Sequence, residues 1–77
     1  MTQAEKKLTD IPVGSKIVIK NLYLDKAIIK KLCLLGIYRL QNFNIETRTM
    51  SGIILVGNWG KVAIDSLLAS QISVNIV

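Results

Sequence analysis

Side chains that could carry out catalysis or bind a metal are few in this sequence, and they do not cluster. The chain has no histidine and a single cysteine, Cys33, and its five acidic residues are scattered. They are Glu5, Asp10, Asp25, Glu46 and Asp65. Histidine is the commonest general base and metal ligand, and nucleophile–base triads and thiolate zinc sites need partners that this composition lacks. We therefore predict no enzymatic activity, no cofactor and no metal site.

Basic residues outnumber acidic ones, which gives a formal net charge of +5. Such a charge favours an acidic protein surface, a nucleic acid or an anionic lipid as partner. The lysines are, however, spread over the N-terminal segment, the first predicted strand and the predicted helix. The aromatic residues Tyr23, Tyr38, Phe43 and Trp59 match no nucleic-acid-binding motif. Nucleic-acid binding is therefore an alternative and not our first hypothesis.

The length of 77 residues corresponds to one small domain, and 51% of the residues are hydrophobic. A domain of this size buries only about 60% of the surface that its unfolded chain exposes, so some apolar side chains should remain available to a partner. The longest apolar runs, Leu32–Leu35 and Ile53–Val56, are far shorter than the roughly 20 residues of a membrane-spanning helix. The polar N-terminus lacks the apolar region of a secretory signal. We expect a cytoplasmic protein without direct membrane insertion.

The segment Asp25–Arg39 contains the one convincing α-helical pattern in the chain. Asp25 is the expected N-cap, and Gly36 is the expected C-terminal stop because glycine adopts the left-handed conformation without steric cost. Helical spacing places four aliphatic side chains on an inward face, with Cys33 at its border, where we interpret it as a small core residue. The inward residues are Ile28, Ile29, Leu32 and Leu35.

The opposite face of this helix is the candidate partner-binding surface. It consists of Lys26, Ala27, Lys30, Lys31 and Leu34. A leucine surrounded by lysines matches the usual anatomy of an interface, with an apolar centre and a polar rim. The alternative interpretation is a solvated lysine face on which Leu34 is one more of the apolar side chains that small proteins expose.

The rest of the chain has the pattern of short strands joined by tight turns. Alternating apolar and polar residues, or short apolar runs bounded by turn residues, predict strands at Lys16–Lys20, Leu40–Arg48, Ile53–Val56, Lys61–Ile64 and Ile72–Ile76. A helical turn capped by Asp65 is expected just before the last strand. Residues 1–7 have no periodicity and are predicted to form a flexible arm, with 8–77 as the single domain. This order predicts a mainly β fold, a five-stranded SH3-like barrel with one α-helix after the first strand.

Two further features of the predicted strands concern surfaces. Ile53–Val56 is apolar on both faces, which makes self-association through this strand possible. Gly57 and Gly60 predict a tight hairpin with Trp59 at its tip. An indole there is either exposed or folded back over the barrel mouth, and we favour the second arrangement because an exposed indole without a partner lowers solubility.

Four segments together resemble the FeoA family, small cytoplasmic proteins that accompany the ferrous-iron transporter FeoB. Leu8–Lys16 is similar to the family's L-x-x-L-x-x-G entry, and Lys31–Ile37 to its basic, L-x-x-L-G, aliphatic helix end. Val62–Ile64 is similar to an aliphatic-Ala-Leu triplet, and Ala69–Val74 to A-x-x-I-x-V. The chain departs from the pattern at two places. Arg39-Leu40 stands where Pro-Gly is usual, so this loop must turn without glycine, and Leu34 replaces a polar residue.

This resemblance implies a divergent FeoA-like accessory protein, non-enzymatic, that binds the cytoplasmic GTP-binding region of FeoB in ferrous-iron uptake. A similar SH3-like domain forms the C-terminal part of metal-responsive repressors of the DtxR class. Because no helix-turn-helix precedes the domain here, a whole repressor is not expected. The alternatives that stay open are a small basic barrel that binds nucleic acid and a metal-responsive regulatory domain.

Overall fold

The computed structural model describes residues 5–77, which form one antiparallel sheet of six strands and two α-helices. The strands are β1 (Lys6–Lys7), β2 (Lys16–Leu22), β3 (Asn42–Arg48), β4 (Gly52–Gly57), β5 (Gly60–Asp65) and β6 (Ile72–Ile76). Helix α1 spans Lys26–Leu34 and helix α2 spans Ser66–Ala69, and a single 3-10 turn covers Leu8–Asp10. The mainly β prediction is confirmed, and each of the five predicted strands is present with slightly different ends.

The predicted five-stranded barrel is wrong, because the sheet of the described residues has six strands and does not close into a barrel. The strand order is β1-β6-β2-β3-β4-β5, and within residues 5–77 the edge strands β1 and β5 are not hydrogen-bonded to each other. A sixth strand exists because Lys6 pairs with Val74 and Lys7 with Ser73. Helix α1 accordingly follows the second strand and not the first. Of the predicted flexible arm 1–7, residues 1–4 lie outside the described residues, whereas Lys6–Lys7 belong to the sheet.

The core lies on one face of the sheet, where alternate residues of each long strand point inward. Ile17 and Ile19 of β2, for example, are fully buried, while the residues between and beside them are not. This is the period-two pattern expected of a half-buried antiparallel sheet. Residues from outside the strands complete the same cluster, namely Leu8, Ile11, Leu32, Ile37 and Ala69.

The segment before β2 is tied to the sheet by one arginine. Arg48 Nη1 donates hydrogen bonds to the carbonyl oxygens of Thr9 and Ile11, both at 2.7 Å. These charge-assisted bonds satisfy carbonyl groups that neither strand nor helix would otherwise pair. They hold Leu8 and Ile11 against the core, so this segment covers part of the buried face of the sheet.

Strand β4 lies inside the sheet, hydrogen-bonded to β3 on one side and β5 on the other. Ile53 and Leu55 are buried, while Ile54 and Val56 are half-buried on the outward face. Both edges of the strand are therefore already used. Self-association through Ile53–Val56 stays a prediction, and it could involve only the outward side chains of β4.

Candidate functional site

The predicted partner surface is present on α1 as one exposed face. All five residues, Lys26, Ala27, Lys30, Lys31 and Leu34, are exposed, and Leu34 is the extreme case at 88%. Helical geometry places Leu34 one turn after Lys30 and close to Lys31 on the same side. The structure thus brings these residues together, while their role in binding remains a prediction.

The inward face of α1 is smaller than the sequence suggests. Leu32 is buried and Ile28 packs half-buried against the core, but Leu35 is 57% exposed. Cys33 is also exposed, so its interpretation as a core residue is wrong. Leu35 is exposed because the helix ends at Leu34, and Leu35 has left helical geometry with φ −88° and ψ 2°. Ile37, just beyond the turn, supplies the fully buried side chain instead.

Gly36 terminates α1 as predicted and sets the direction of the following chain. Its φ is 88°, and its N–H donates to the Cys33 carbonyl at 3.0 Å while the Ile37 N–H donates to the Leu32 carbonyl at 2.8 Å. This pair of bonds is the Schellman arrangement, in which a left-handed glycine satisfies the last helical carbonyls. The turn places Leu35 outside and Ile37 inside.

Trp59 sits at the tip of the β4–β5 hairpin and leans towards the end of α1. A Cβ built on Gly36 would lie 2.9 Å from Cδ1 of Trp59, so the indole approaches the glycine more closely than any other residue type would allow. The ring nevertheless remains 78% exposed. The expectation that Trp59 folds back over a barrel mouth is wrong: it lies on the surface against Gly36.

Together these residues form an open depression of about 380 Å³, which we call the Trp59 depression. It is lined by Cys33, Leu34, Leu35, Gly36, Tyr38 and Trp59. Sequence reasoning identified Leu34 but missed the partnership with Tyr38 and Trp59. The signal for it was weak, because it consisted of a tryptophan between two hairpin glycines and a helix-ending glycine in a distant part of the chain.

The exposed face of α1 carries three lysines, Lys26, Lys30 and Lys31. Among residues 5–77 the one ion pair joins Lys61 Nζ to Glu46 Oε1 at 2.9 Å. Lys26, Lys30 and Lys31 therefore have no carboxylate partner within the described part of the chain. The α1 face combines unpaired positive charge with the apolar lining of the Trp59 depression.

Three of the five acidic side chains, those of Glu5, Glu46 and Asp65, make hydrogen bonds or an ion pair within residues 5–77. Asp65 Oδ1 accepts a hydrogen bond from the Leu68 N–H at 2.8 Å and caps α2. Glu5 Oε1 accepts from Asn21 Nδ2 at 2.6 Å and from Ser73 Oγ at 3.2 Å. Across residues 5–77, no group of three or more His, Cys, Asp or Glu side chains is arranged to hold a metal ion.

No protein-family model and no curated protein matches the chain. Several solved structures match it. A crystal structure of an iron uptake regulatory protein, FeoA, has a TM-score of 0.84 at 21% identity, over 96% of this chain and 100% of that one. The FeoA-like protein from Clostridium acetobutylicum has a TM-score of 0.82 at 18% identity, over 99% of this chain and 91% of that one. The fold is that of FeoA proteins. The resemblance inferred from the sequence is thus confirmed in the fold.

The same fold occurs inside a larger protein. A manganese-dependent transcriptional repressor, solved with manganese, has a TM-score of 0.87 at 18% identity, over 99% of this chain but only 38% of the repressor. The FeoA-like chain therefore corresponds to one part of that protein. Within residues 5–77, no helix has the length and apolar character needed to span a membrane.

Proposed function

We propose that this FeoA-like chain is a non-enzymatic cytoplasmic accessory protein of ferrous-iron uptake that binds the cytoplasmic GTP-binding region of FeoB. The observation that carries the proposal is the likeness to FeoA proteins over nearly their whole length, because the chain covers 91% and 100% of two of them. The exposed face of α1 provides a surface suited to protein recognition.

The contact begins on α1. Leu34 projects from the helix with 88% of its surface exposed, and Lys30 and Lys31, which have no carboxylate partners in residues 5–77, lie one turn before it. An apolar centre that loses its water gives most of the binding energy, while charges at the rim select an acidic partner and accelerate encounter. This division of roles fits a regulatory contact between two folded proteins.

An NMR titration of the labelled chain with the cytoplasmic region of FeoB tests the proposal. We expect amide shifts concentrated at residues 26–34, and none with short duplex DNA in a parallel sample at the same salt. Shifts with DNA alone would favour the nucleic-acid alternative, whose affinity falls steeply with salt as counterions are released. Absence of shifts with FeoB would contradict the proposal.

Two leucines of the same helix provide matched variants. Leu34→Asp should leave the fold intact and weaken FeoB binding by about tenfold or more, since an exposed side chain at an interface centre is lost. Leu32→Asp should unfold the domain, because it buries a charge in the core. Circular dichroism and thermal denaturation distinguish the two. Unfolding of Leu34→Asp would contradict the assigned helix faces.

The likeness to the manganese-dependent repressor favours a second candidate, a metal-responsive regulatory domain. This candidate predicts that manganese or ferrous ion alone perturbs the chain. The same NMR sample, titrated with each metal, tests it. Specific shifts at a few carboxylates would support it, while an unchanged spectrum would remove it.

A further inference from the structure

The exposed apolar side chains at the end of α1 and at the hairpin tip form one continuous surface. Leu34, Leu35 and Trp59 are 88%, 57% and 78% exposed, and all three line the Trp59 depression. Large apolar side chains grouped in this way mark interaction sites, whereas isolated ones are ordinary. Met50 and Leu67, which are 99% and 72% exposed, lie on other parts of the chain and do not line it.

The depression has two walls, and backbone geometry defines both of them. The indole of Trp59 rests on Gly36, whose left-handed φ of 88° belongs to the helix-ending hydrogen-bond pattern. The hairpin beneath Trp59 is closed by pairing of Gly57 with Gly60. One wall therefore comes from the hairpin and the other from the end of α1. Preformed surfaces of this kind lose little conformational entropy on binding.

From these observations we propose that the Trp59 depression receives a large apolar side chain from an acidic segment of the partner protein. The inference rests on the proposed function, and it changes which of the two proteins inserts a side chain into the other. Leu34 is then part of a wall that receives the partner's anchor, not a knob that enters a pocket on the partner. The volume of about 380 Å³ lies near the lower end of the roughly 300–1,000 Å³ typical of ligand sites, which suits one anchor residue.

The positive charge of the lysines beside the depression favours an acidic segment as its occupant. Lys30 and Lys31 precede Leu34 by one helical turn on the exposed face of α1, so both lie next to the wall of the depression that Leu34 forms. Neither lysine has a carboxylate partner among residues 5–77. A segment with glutamate or aspartate beside its apolar anchor would neutralise both groups.

A second copy of this chain and an anionic membrane are less suitable occupants. A twofold contact between two copies would bring the lysines of both copies together, and like charges repel. A flat lipid surface would contact the protruding Leu34 and Trp59 but would leave the recess between them unfilled. Both are included as outcomes of the test.

The experiment uses a synthetic amphipathic peptide of about four helical turns, with leucines on one face and glutamates on the other. Trp59 is the only tryptophan in the chain, so its emission reports on the depression. We expect a blue shift with the acidic peptide and NMR shifts at residues 33–38, and neither with a counterpart carrying lysine for glutamate. Equal binding of the basic peptide would overturn the inference. So would a blue shift with phosphatidylglycerol vesicles alone, or with increasing protein concentration alone.

Variants localise the binding. Trp59→Ala and Leu35→Ser should each weaken binding of the acidic peptide by about tenfold, as expected for anchors at an interface centre. The matched control is Leu67→Ser, which removes a leucine of 72% exposure from α2. It should leave affinity unchanged. Equal affinity of all three variants would overturn the inference.

The FeoB titration separates this inference from the proposed function. If the cytoplasmic region of FeoB binds the wild-type chain and Trp59→Ala equally well, the inference is wrong and the proposed function stands. If FeoB does not bind but the acidic peptide occupies the depression, the proposed function is wrong and the recognition chemistry stands.

Discussion

Leu40 carries the most unusual backbone conformation in the molecule. Among residues 5–77 it is the one non-glycine residue with positive φ, at 68°. It occupies the third position of a turn closed by the Gln41 N–H on the Tyr38 carbonyl at 3.2 Å, a position that favours glycine in turns of this kind. Here the FeoA pattern has Pro-Gly, and the sequence correctly indicated a turn made without glycine. Arg39 helps to hold it by donating from Nε to the Lys20 carbonyl at 2.8 Å.

Leu40→Gly should stabilise the protein by about 1 kcal/mol, since the left-handed conformation costs an ordinary residue about 1–2 kcal/mol and the greater freedom of unfolded glycine offsets part of the gain. The Leu40 side chain is 62% exposed, so little burial is lost. Urea denaturation measures the change. The control is Leu40→Ala, which keeps the strain and should change stability by less than about 0.5 kcal/mol. Equal effects of glycine and alanine would show that the backbone at this position is not strained.

Gly36 combines two requirements, a left-handed backbone and close contact with Trp59. Gly36→Ala should cost about 1–2 kcal/mol from the backbone alone and should also push the indole away, changing its emission spectrum. Gly14 is the matched control, because its φ is 93° and a Cβ there would meet nothing within 4 Å. Gly14→Ala should therefore lower stability similarly without changing Trp59 emission. Identical spectra for the two variants would contradict the contact.

At the scale of elements, strands were more predictable than helix faces. Alternating apolar residues and hairpin glycines located the long strands, because in a half-buried sheet each side chain's environment follows from its parity. The inward face of α1 was overestimated because the helix ends before Leu35. It gives only Leu32 to the buried core. The periodicity of a peripheral helix predicts which residues share a face. It does not predict the last helical residue, because that depends on how the following chain returns to the sheet.

The two helix caps differ in a way that the sequence did not show. Asp65 accepts a hydrogen bond from Leu68, whereas the Asp25 side chain makes no capping bond to α1. Asp65→Ala should cost about 1 kcal/mol and Asp25→Ala less than about 0.5 kcal/mol, as measured by chemical denaturation. The buried Ala69 in α2 couples this short helix to the core. A larger loss for Asp25→Ala would reverse the assignment of the two caps.

At the scale of the whole molecule, two features could not be predicted from the sequence. They are the sixth strand at the edge of the sheet and the Trp59 depression. Lys6 and Lys7 have no apolar pattern, so nothing local indicated that they add an edge strand beside β6. The meeting of Trp59 with Gly36 likewise depends on how β5 and α1 are placed by the whole sheet. Such long-range contacts leave no local sequence pattern, because the residues that meet lie far apart along the chain.

The positive charge of the molecule should raise the rate at which the partner associates. The Trp59 depression should lower the rate at which the partner dissociates. Reversing Lys30 and Lys31 to glutamate should slow association with the FeoB cytoplasmic region by about tenfold at low salt and flatten its salt dependence. Trp59→Ala should instead raise the dissociation rate with little change in association, because it removes buried contact area. Stopped-flow measurement over a range of salt concentrations separates these effects. Reversing Lys6 and Lys7 on β1 changes the net charge equally and is the matched control. If it slows association as much, net charge and not the lysines beside the depression directs the encounter.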